Sequence, residues 1–515
     1  MSEKLFDNPA KSAPKKIDKK SRKKARNIIG KILVVLQAIV SVLFVWGLIS
    51  IDMLPFKYLA IVIGLIVLLF LSVFFSQRMK NVTTKKDKRV RRILGKILSV
   101  ILIIVMATGS FYVGKVDNAV GAVTGGSHKI DSVVVAVLSD DPAETINDTK
   151  EYLFAVQYQV KAEEVKNAVQ AINQELDTEI KTQEYQSVEE QAGALLDGTV
   201  KALIYNEGYN GVLEEVYEGF ESKIKVIYQY QIKTKLPTVV TEVSKEFSIT
   251  EDCFSVYISG IDVYGPISTN SRSDVNIIAT VNPSTHQILL TTTPRDYYVP
   301  IPGVSEGQKD KLTHAGIYGV DASIATLENV YDTEIQFYAR VNFTSVIEIV
   351  DQLGGIDVYS EYAFDNGSIS VKQGMNHFNG EQALGFCRER YRLPGGDNQR
   401  GKNQQAVIVA IIKKMISSKM LMNASGIIDS VSGNVETNMS ADQIQELVKM
   451  QLNKGGAWNI YSIAATGTGE SNYTYSMPGR LLYVMNPNQD SINKISDLMD
   501  RVSDGEKIEG SEVAQ

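Results

Sequence analysis

The chain has 515 residues, 44% of them hydrophobic, with a mean hydropathy of −0.06 and a formal net charge of −6. That length allows two or three domains with full cores, and the composition suits a globular protein that also carries membrane segments. Two cysteines, Cys253 and Cys387, with no Cys-x-x-Cys pair, exclude a zinc site and a disulfide-dense scaffold, leaving one bridge or two free thiols.

The net charge hides an asymmetry. Residues 1–96 hold 21 Lys+Arg against 5 Asp+Glu, a balance of +16, whereas the remainder holds 32 against 54, a balance of −22. Residues 1–26 are polar and lysine-rich and predict a basic cytoplasmic tail. They do not predict a signal peptide, because the apolar run that follows is too long and lacks a small-residue cleavage site. Residues 27–115 predict three membrane spans, Ile32–Ile51, Tyr58–Phe75 and Ile97–Val113. The tail and the loop Arg78–Lys96 are basic, while Asp52–Lys57 is nearly uncharged. The positive-inside rule therefore places the N-terminus in the cytoplasm of a multi-pass plasma-membrane protein, with everything after about residue 115 outside. An acidic exterior argues against nucleic acid as a partner.

Residues 116–128 predict a linker, and 129–235 a small α/β accessory domain, with strands at Ser132–Leu138 and Val226–Gln231 and a helix at Ala162–Leu176. No chemical constellation stands out in that region. A second domain is expected over 247–420, with 421–515 completing it and ending in a flexible tail. Phe254–Ile261 predicts a strand, and Val275–Val281 and Gln287–Thr293 a hairpin turning at Asn282-Pro283-Ser284-Thr285. Helices are expected at Val320–Tyr331, Phe343–Leu353 (closed by Gly354-Gly355) and Gly380–Cys387, with a strand at Ile335–Val341 between the first two. A helix is expected over Ala406–Ile416, and its run Ala-Val-Ile-Val-Ala-Ile-Ile is apolar on every face, so it is either fully buried or lines a greasy cavity. Ser440-Ala-Asp-Gln443 forms a capping box, and Trp458–Ile463 a late strand. The whole predicts the α/β class: a three-helix membrane region, an accessory domain, then an α/β sandwich with a mixed central sheet.

Arginine is scarce after residue 97, where nine occur, yet four fall within Arg388–Arg400. Alternation of Arg388, Arg390 and Arg392 would point all three to one side of an extended backbone. Arg400 and Gln404 would stack on one face of a helix starting near Asp397, after a bend at Gly395-Gly396. Guanidinium forks match phosphate oxygens two at a time, so an oxyanion site is expected rather than a surface ion-pair network with Glu389 and Asp397. Upstream, Asp262 closes one strand and Asp274 opens the next, with Arg272 two residues before it. Two carboxylates beside phosphate oxygens suit a Mg²⁺ site. Arg295 and Asp296 follow the hairpin, at a strand end where α/β sheets tend to hold ligands. The four histidines have no ligand spacing, His314 and His377 being expected in loops, and no Gly-x-Ser-x-Gly elbow is present.

Taken together, Asp262, Arg272-Ser-Asp274, Thr-Pro-Arg295-Asp296, Phe378-Asn-Gly-Glu-Gln-Ala383, Arg388-x-Arg390 and Arg400-x-x-x-Gln404 resemble the LytR–CpsA–Psr family, most closely its streptococcal capsule-type CpsA members. The resemblance implies a phosphotransferase that moves a glycopolymer, here capsular polysaccharide, from an undecaprenyl diphosphate carrier onto peptidoglycan through a phosphodiester. It implies that Asp262 and Asp274 hold Mg²⁺ or Mn²⁺. Arg272, Arg295, Arg388, Arg390, Arg400 and Gln404 would bind the diphosphate, with Arg295, Asp296, Arg390 and Arg400 at the reacting centre. The apolar helix would line the polyprenyl tunnel. Capsule-assembly and tyrosine-kinase proteins are the implied partners. A membrane sensor of lipid-linked polysaccharide and a pyrophosphatase releasing it use the same site.

Overall fold

Three helices open the chain: α1 (Lys19–Ser50), α2 (Phe56–Arg78) and α3 (Lys85–Val123). Each contains a 23-residue stretch long and apolar enough to cross a membrane: Ile28–Ser50, Phe56–Arg78 and Arg89–Phe111. The helices meet through small and polar residues, with Ser99 Oγ donating to Gln37 Oε1 at 2.9 Å and Gly95 leaving no room for a Cβ beside Ser76. The end of α3 departs from expectation, because it takes in most of the stretch read as a linker. No proline interrupts 116–123, so nothing there stops a helix already under way.

This computed structural model describes residues 19–50, 55–78, 85–123, 128–235, 247–261, 267, 270–394, 397–415 and 435–513, divided into two compact units at 115/116. The second unit holds two sheets. The first contains β1 (His128–Leu138), β2 (Leu153–Val156), β3 (Lys181–Glu184), β4 (Ala202–Asn206) and β5 (Ile224–Lys235) in the order β3-β2-β4-β1-β5. Its interior strand β1, between β4 and β5, reads Val-Val-Val-Ala-Val over 133–137 without polar alternation, as a strand covered on both faces must. Val133, Val135 and Val137 face α4 (Ala162–Leu176), while Val134 and Ala136 face α5 (Val188–Leu196), α6 (Asn210–Val216) and α7 (Phe220–Lys223).

The second sheet starts with β6 (Phe254–Ile261), β7 (Ser273–Asn282) and β8 (Gln287–Thr292). A ribbon of β9 (Tyr298–Pro300) and β10 (Lys309–Lys311) leads to α8 (Leu312–Tyr318), α9 (Val320–Tyr331), β11 (Phe337–Val341) and α10 (Phe343–Gln352). Two small ribbons follow, β12 (Ile356–Ser360) with β15 (Gly374–Phe378) and β13 (Phe364–Asp365) with β14 (Ser370–Val371). After them come α11 (Gly380–Arg388), α12 (Asp397–Met415), β16 (Val435–Thr437), α13 (Ala441–Lys454), β17 (Asn459–Ala464), the hairpin β18 (Gly467–Thr474)–β19 (Met477–Pro487) and α14 (Gln489–Ser503). Strand order is β16-β11-β6-β7-β8-β17, parallel at β6/β11 and β8/β17 and antiparallel elsewhere: a mixed sheet.

Local chemistry fixes these elements. Asn282 Oδ1 accepts the Ser284 and Thr285 amides and closes the β7–β8 turn. Capping boxes at Asn342 and Ser440 open α10 and α13, and Gly354 and Gly355, at φ +71° and +85°, end the α10 segment. One sheet face buries Tyr257, Ile278 and Leu289 against α9 and α14; the other buries Ile277, Ile288 and Leu290 against Ile408, Val409 and Ile412 of α12. The opposite side of α12 places Val407 and Ile411 in a third core with Phe378 and Phe386. Residues 406–412 are apolar all round because α12 is wedged between two apolar surfaces.

The first sheet does not have a core to itself. Tyr205, Tyr209 and Phe220 are buried together with Ile317, Tyr318 and Met477. A buried polar chain runs through the same junction: Tyr209 OH to Tyr318 OH (3.2 Å), Tyr318 OH to Ser476 Oγ (2.8 Å), Ser476 amide to Asp310 Oδ2 (3.0 Å), and Asp310 Oδ1 to His314 Nδ1 (2.6 Å). His314, expected in a loop, lies in α8 and is 1% exposed, its ring held by Asp310. His377, expected in a loop too, lies in β15 with its Nδ1 2.7 Å from Asp357.

Candidate functional site

Arg272, Asp274, Arg295, Arg388, Arg390, Arg400 and Gln404 converge on one cavity of about 700 Å³. The start of β7 delivers Arg272 and Asp274, and the exit of β8 delivers Arg295, whose carbonyl accepts the Thr313 amide at 2.8 Å. The first turns of α12 stack Arg400 and Gln404, as their spacing predicts. Apolar side chains line it too, among them Val341, Val346, Leu384, Val407 and Ile408, as do Glu207, Glu214, Glu215 and Glu221.

Arg388 and Arg390 reach the cavity by a route other than the expected one. The extended backbone does not continue there: α11 ends at Arg388, Glu389 is extended at φ −67° and ψ 124°, and a turn built on Glu389 follows at Tyr391 and Arg392. Glu389 is 5% exposed, and its Oε1 accepts the amides of Arg390, Tyr391 and Arg392 at 3.0–3.1 Å, while Oε2 accepts Asn366 Nδ2. Burial pushes that carboxyl up, but the amide donors outweigh it and hold the group below its ordinary range. The turn separates Arg392, which stays outside the cavity 3.7 Å from Glu389. Glu389 organises the arginine loop. Upstream, Gly380 lets α11 start against α10, since a Cβ there would lie 2.3 Å from the Ile347 carbonyl oxygen.

Charge in the cavity is concentrated around Asp274. Arg295 Nη1 lies 2.9 Å and Thr313 Oγ1 3.3 Å from its Oδ1. Burial would raise its pKa, but Arg295, Arg272 and Arg400 together drive it far below the ordinary range, so the group is a carboxylate. Asp296 is 6% exposed, with Lys311 Nζ 2.5 Å from Oδ1 and Arg295 Nε 3.9 Å from Oδ2. Asp296, Lys311, Arg295, Arg390 and Tyr391 line a second, more open cleft of about 600 Å³. A smaller cavity of about 270 Å³ also reaches Asp274, Arg295, Asp296, Arg400 and Gln404. Arg295 lines all three.

A family model for the LytR_cpsA_psr family matches residues 219–499. The chain belongs to that family. Its relatives include the Enterococcus faecalis polyisoprenyl-teichoic acid–peptidoglycan teichoic acid transferase TagU, 35% identical over 43% of this chain and 73% of that protein. The Bacillus cereus protein of the same name is 32% identical over 44% of this chain and 78% of its own length. The crystal structure of B. subtilis TagV is 26% identical, covering 50% of this chain and 99% of that one, with a TM-score of 0.42.

Asp262, a family-motif residue, and the bend expected at Gly395-Gly396 lie outside the described residues. Ile261, which precedes Asp262, is the register partner of Ser273, which precedes Asp274. As a hard cation's ligand Asp274 fits, being a buried, ionised oxygen donor at the cavity. Among the described residues no group of three or more His, Cys, Asp or Glu could hold a metal by itself.

One site residue comes from outside every motif and, with the helix that carries it, from before the family-matched stretch. Glu215 of α6 places Oε1 2.6 Å from Arg272 Nη1 and 3.6 Å from Arg295 Nη2. The region read as free of chemical groups therefore supplies one wall of the cavity. The two cysteines are free thiols: Cys253 lies 3.5 Å from Ser503 Oγ, and burial pushes the Cys387 thiol up to about 12.

Proposed function

We propose that this chain is a membrane-anchored phosphotransferase that attaches a glycopolymer, in particular capsular polysaccharide, to peptidoglycan. The donor is a polyprenyl diphosphate carrying the polymer, with undecaprenyl as the lipid. The three apolar helices anchor it in the plasma membrane as a multi-pass protein, with the second unit outside the cell. The observation that carries this reading is a single cavity lined by five arginines and a glutamine together with apolar side chains such as Val341, Val346, Leu384, Val407 and Ile408. Such a cavity suits a diphosphate head with a hydrocarbon tail, and the names of the family relatives fit the same donor and acceptor classes.

Arg272, Arg295, Arg388, Arg390 and Arg400, with Gln404, bind the diphosphate oxygens and offset the charge that gathers there as the phosphorus is attacked. An acceptor hydroxyl of peptidoglycan forms the new P–O bond, and the bond to the bridging oxygen breaks. Polyprenyl phosphate leaves with that oxygen, and the hydroxyl proton passes to a carboxylate. Asp296 serves as that base from its place between Lys311 and Arg295 in the open cleft. Asp274 with Asp262 would hold Mg²⁺, which would add positive charge on the diphosphate.

The test uses the full chain in detergent micelles with a labelled polyprenyl-diphosphate oligosaccharide. Release of polyprenyl phosphate is followed with and without uncrosslinked peptidoglycan and Mg²⁺, for the wild type and Asp274→Ala. Acceptor-dependent release that Asp274→Ala abolishes is the expected result. Tight binding with no release under any condition would replace the transferase with a sensor, and release indifferent to peptidoglycan would replace it with a pyrophosphatase.

A further inference from the structure

The contact between α6 and Arg272 is close and specific. A Cβ on Gly211 would lie 2.7–3.0 Å from Nη2, Nε and Cζ of the guanidinium, so the side chain is laid directly on this glycine. Glu215 stands one helical turn later on the same face, and its Oε1 lies near both Arg272 and Arg295. A single carboxylate oxygen thus bridges two guanidinium groups, as one oxygen of a phosphate would.

The partners differ in exposure. The side chains of Arg272, Arg295 and Asp274 are 5%, 10% and 12% exposed, whereas that of Glu215 is 40% exposed. Glu215 also stands next to the last residue of a seven-residue helix, ahead of the turn at 217–219. The cations are enclosed, and the anion is the more exposed partner. Burial alone would raise the Glu215 pKa, but Arg272, Arg295 and Lys311 bring it down to about 2, so the group stays an anion. Glu215 lines both the 700 Å³ cavity and the 600 Å³ cleft, at the place where Arg295 and Arg390 are shared between them.

We propose that Glu215 is a resident anion of the diphosphate site: it sits on Arg272 and Arg295 when no phosphate is bound, and the incoming diphosphate displaces it. Asp274 answers Arg295 from one side, and Glu215 adds a counter-charge shared by Arg272 and Arg295 that keeps the two guanidinium groups in position for the ligand. An anion must then replace the carboxylate before it binds, which lowers the affinity of every anion for the site. Displacement also clears the junction between the donor cavity and the cleft on the Asp296 side. This inference rests on the arginine cluster being a diphosphate site.

Calorimetric titration of the full chain in detergent micelles with inorganic pyrophosphate tests it, comparing the wild type with Glu215→Gln, Glu215→Ala, Glu207→Gln and Arg295→Ala. Glu207 lines the same cavity and its carboxylate accepts from Gln229, so Glu207→Gln removes equal charge without touching the arginines. Glu215→Gln and Glu215→Ala are expected to bind pyrophosphate about tenfold more tightly, and Glu207→Gln less than about twofold, since tenfold corresponds to one well-placed charge contact of about 1.4 kcal/mol. Unchanged or weaker binding by whichever Glu215 variant folds would overturn the proposal, as would an equal gain in Glu207→Gln. If Arg295→Ala binds as well as the wild type, the diphosphate site itself is wrong. If binding depends on Arg295 but not on Glu215, only the resident anion falls.

Discussion

Two arginine–carboxylate groupings in the second unit carry like charges to different ends. At the β11/β16 edge, Arg340 and Glu436 are cross-strand partners with Nη1–Oε2 at 3.0 Å and side chains 4% and 9% exposed, and Tyr338 OH donates to the other Glu436 oxygen. At the end of β7, Arg295 and Asp274 are about as buried and as close, but Arg272, Arg388, Arg390 and Arg400 crowd the same cavity. In the first case neither Arg340 nor Glu436 lines any of the three cavities described above. In the second, five arginines share one cavity with five carboxylates, Asp274 and Glu207, Glu214, Glu215 and Glu221. A buried arginine–carboxylate pair is common to both places, and what sets the second apart is that its charged groups face a cavity.

The largest effect should separate the two groupings. Arg340→Ala leaves Glu436 buried without its counter-charge and should cost about 3–5 kcal/mol in denaturant unfolding, while any folded fraction keeps its affinity for pyrophosphate. A folded Arg340→Ala protein that no longer bound pyrophosphate would erase the distinction. Arg295→Ala is the converse: a loss of transfer on the order of 100- to 1,000-fold, as for removal of one transition-state donor, with a smaller change in unfolding free energy. Gly211→Ala should come next, since the added methyl moves the Arg272 guanidinium. Transfer should fall about tenfold, as expected for a sub-ångström misplacement, and a normal thermal midpoint with a lowered kcat would confirm that placement alone was altered.

The smallest effect is one of pH. Glu215 has its pKa lowered from 4.5 to about 2, so the stability it contributes is complete above pH 4.5 and is lost as pH falls toward 2. Asp274 is depressed in the same direction. Thermal midpoints should therefore be flat above about pH 5 and fall in acid, and Glu215→Gln should make the fall shallower between pH 4.5 and 2. An unchanged slope would show that the Glu215–Arg272 contact contributes no folding stability.

Much of this architecture was legible because its determinants are local. The Asn282 turn, the Asn342 and Ser440 caps, and the stacking of Arg400 on Gln404 each depend on residues within four positions. The reading of Arg388, Arg390 and Arg392 as an extended row failed because alternation says nothing of the residue between. Glu389 draws three consecutive amides to one oxygen and bends the chain. Glu215 was missed because its partner Arg272 lies 57 positions away and a seven-residue helix carries no motif. The only trace in the sequence is Gly211 four residues before Glu215, a spacing too common to single out. The shared core of the two sheets was hidden for a like reason, since each apolar run could have been covered from within its own region.

The buried polar chain from Tyr209 through Tyr318 and Ser476 to Asp310 and His314 joins segments 267 positions apart in sequence. No shorter piece of the chain contains all its members. A fragment that kept all five cavity arginines but ended before residue 476 would leave Asp310 and Tyr318 without their Ser476 contacts in an apolar setting. The second unit should accordingly melt in one step, and in a chain made from its N-terminus the network is completed only when the β19 hairpin has been added.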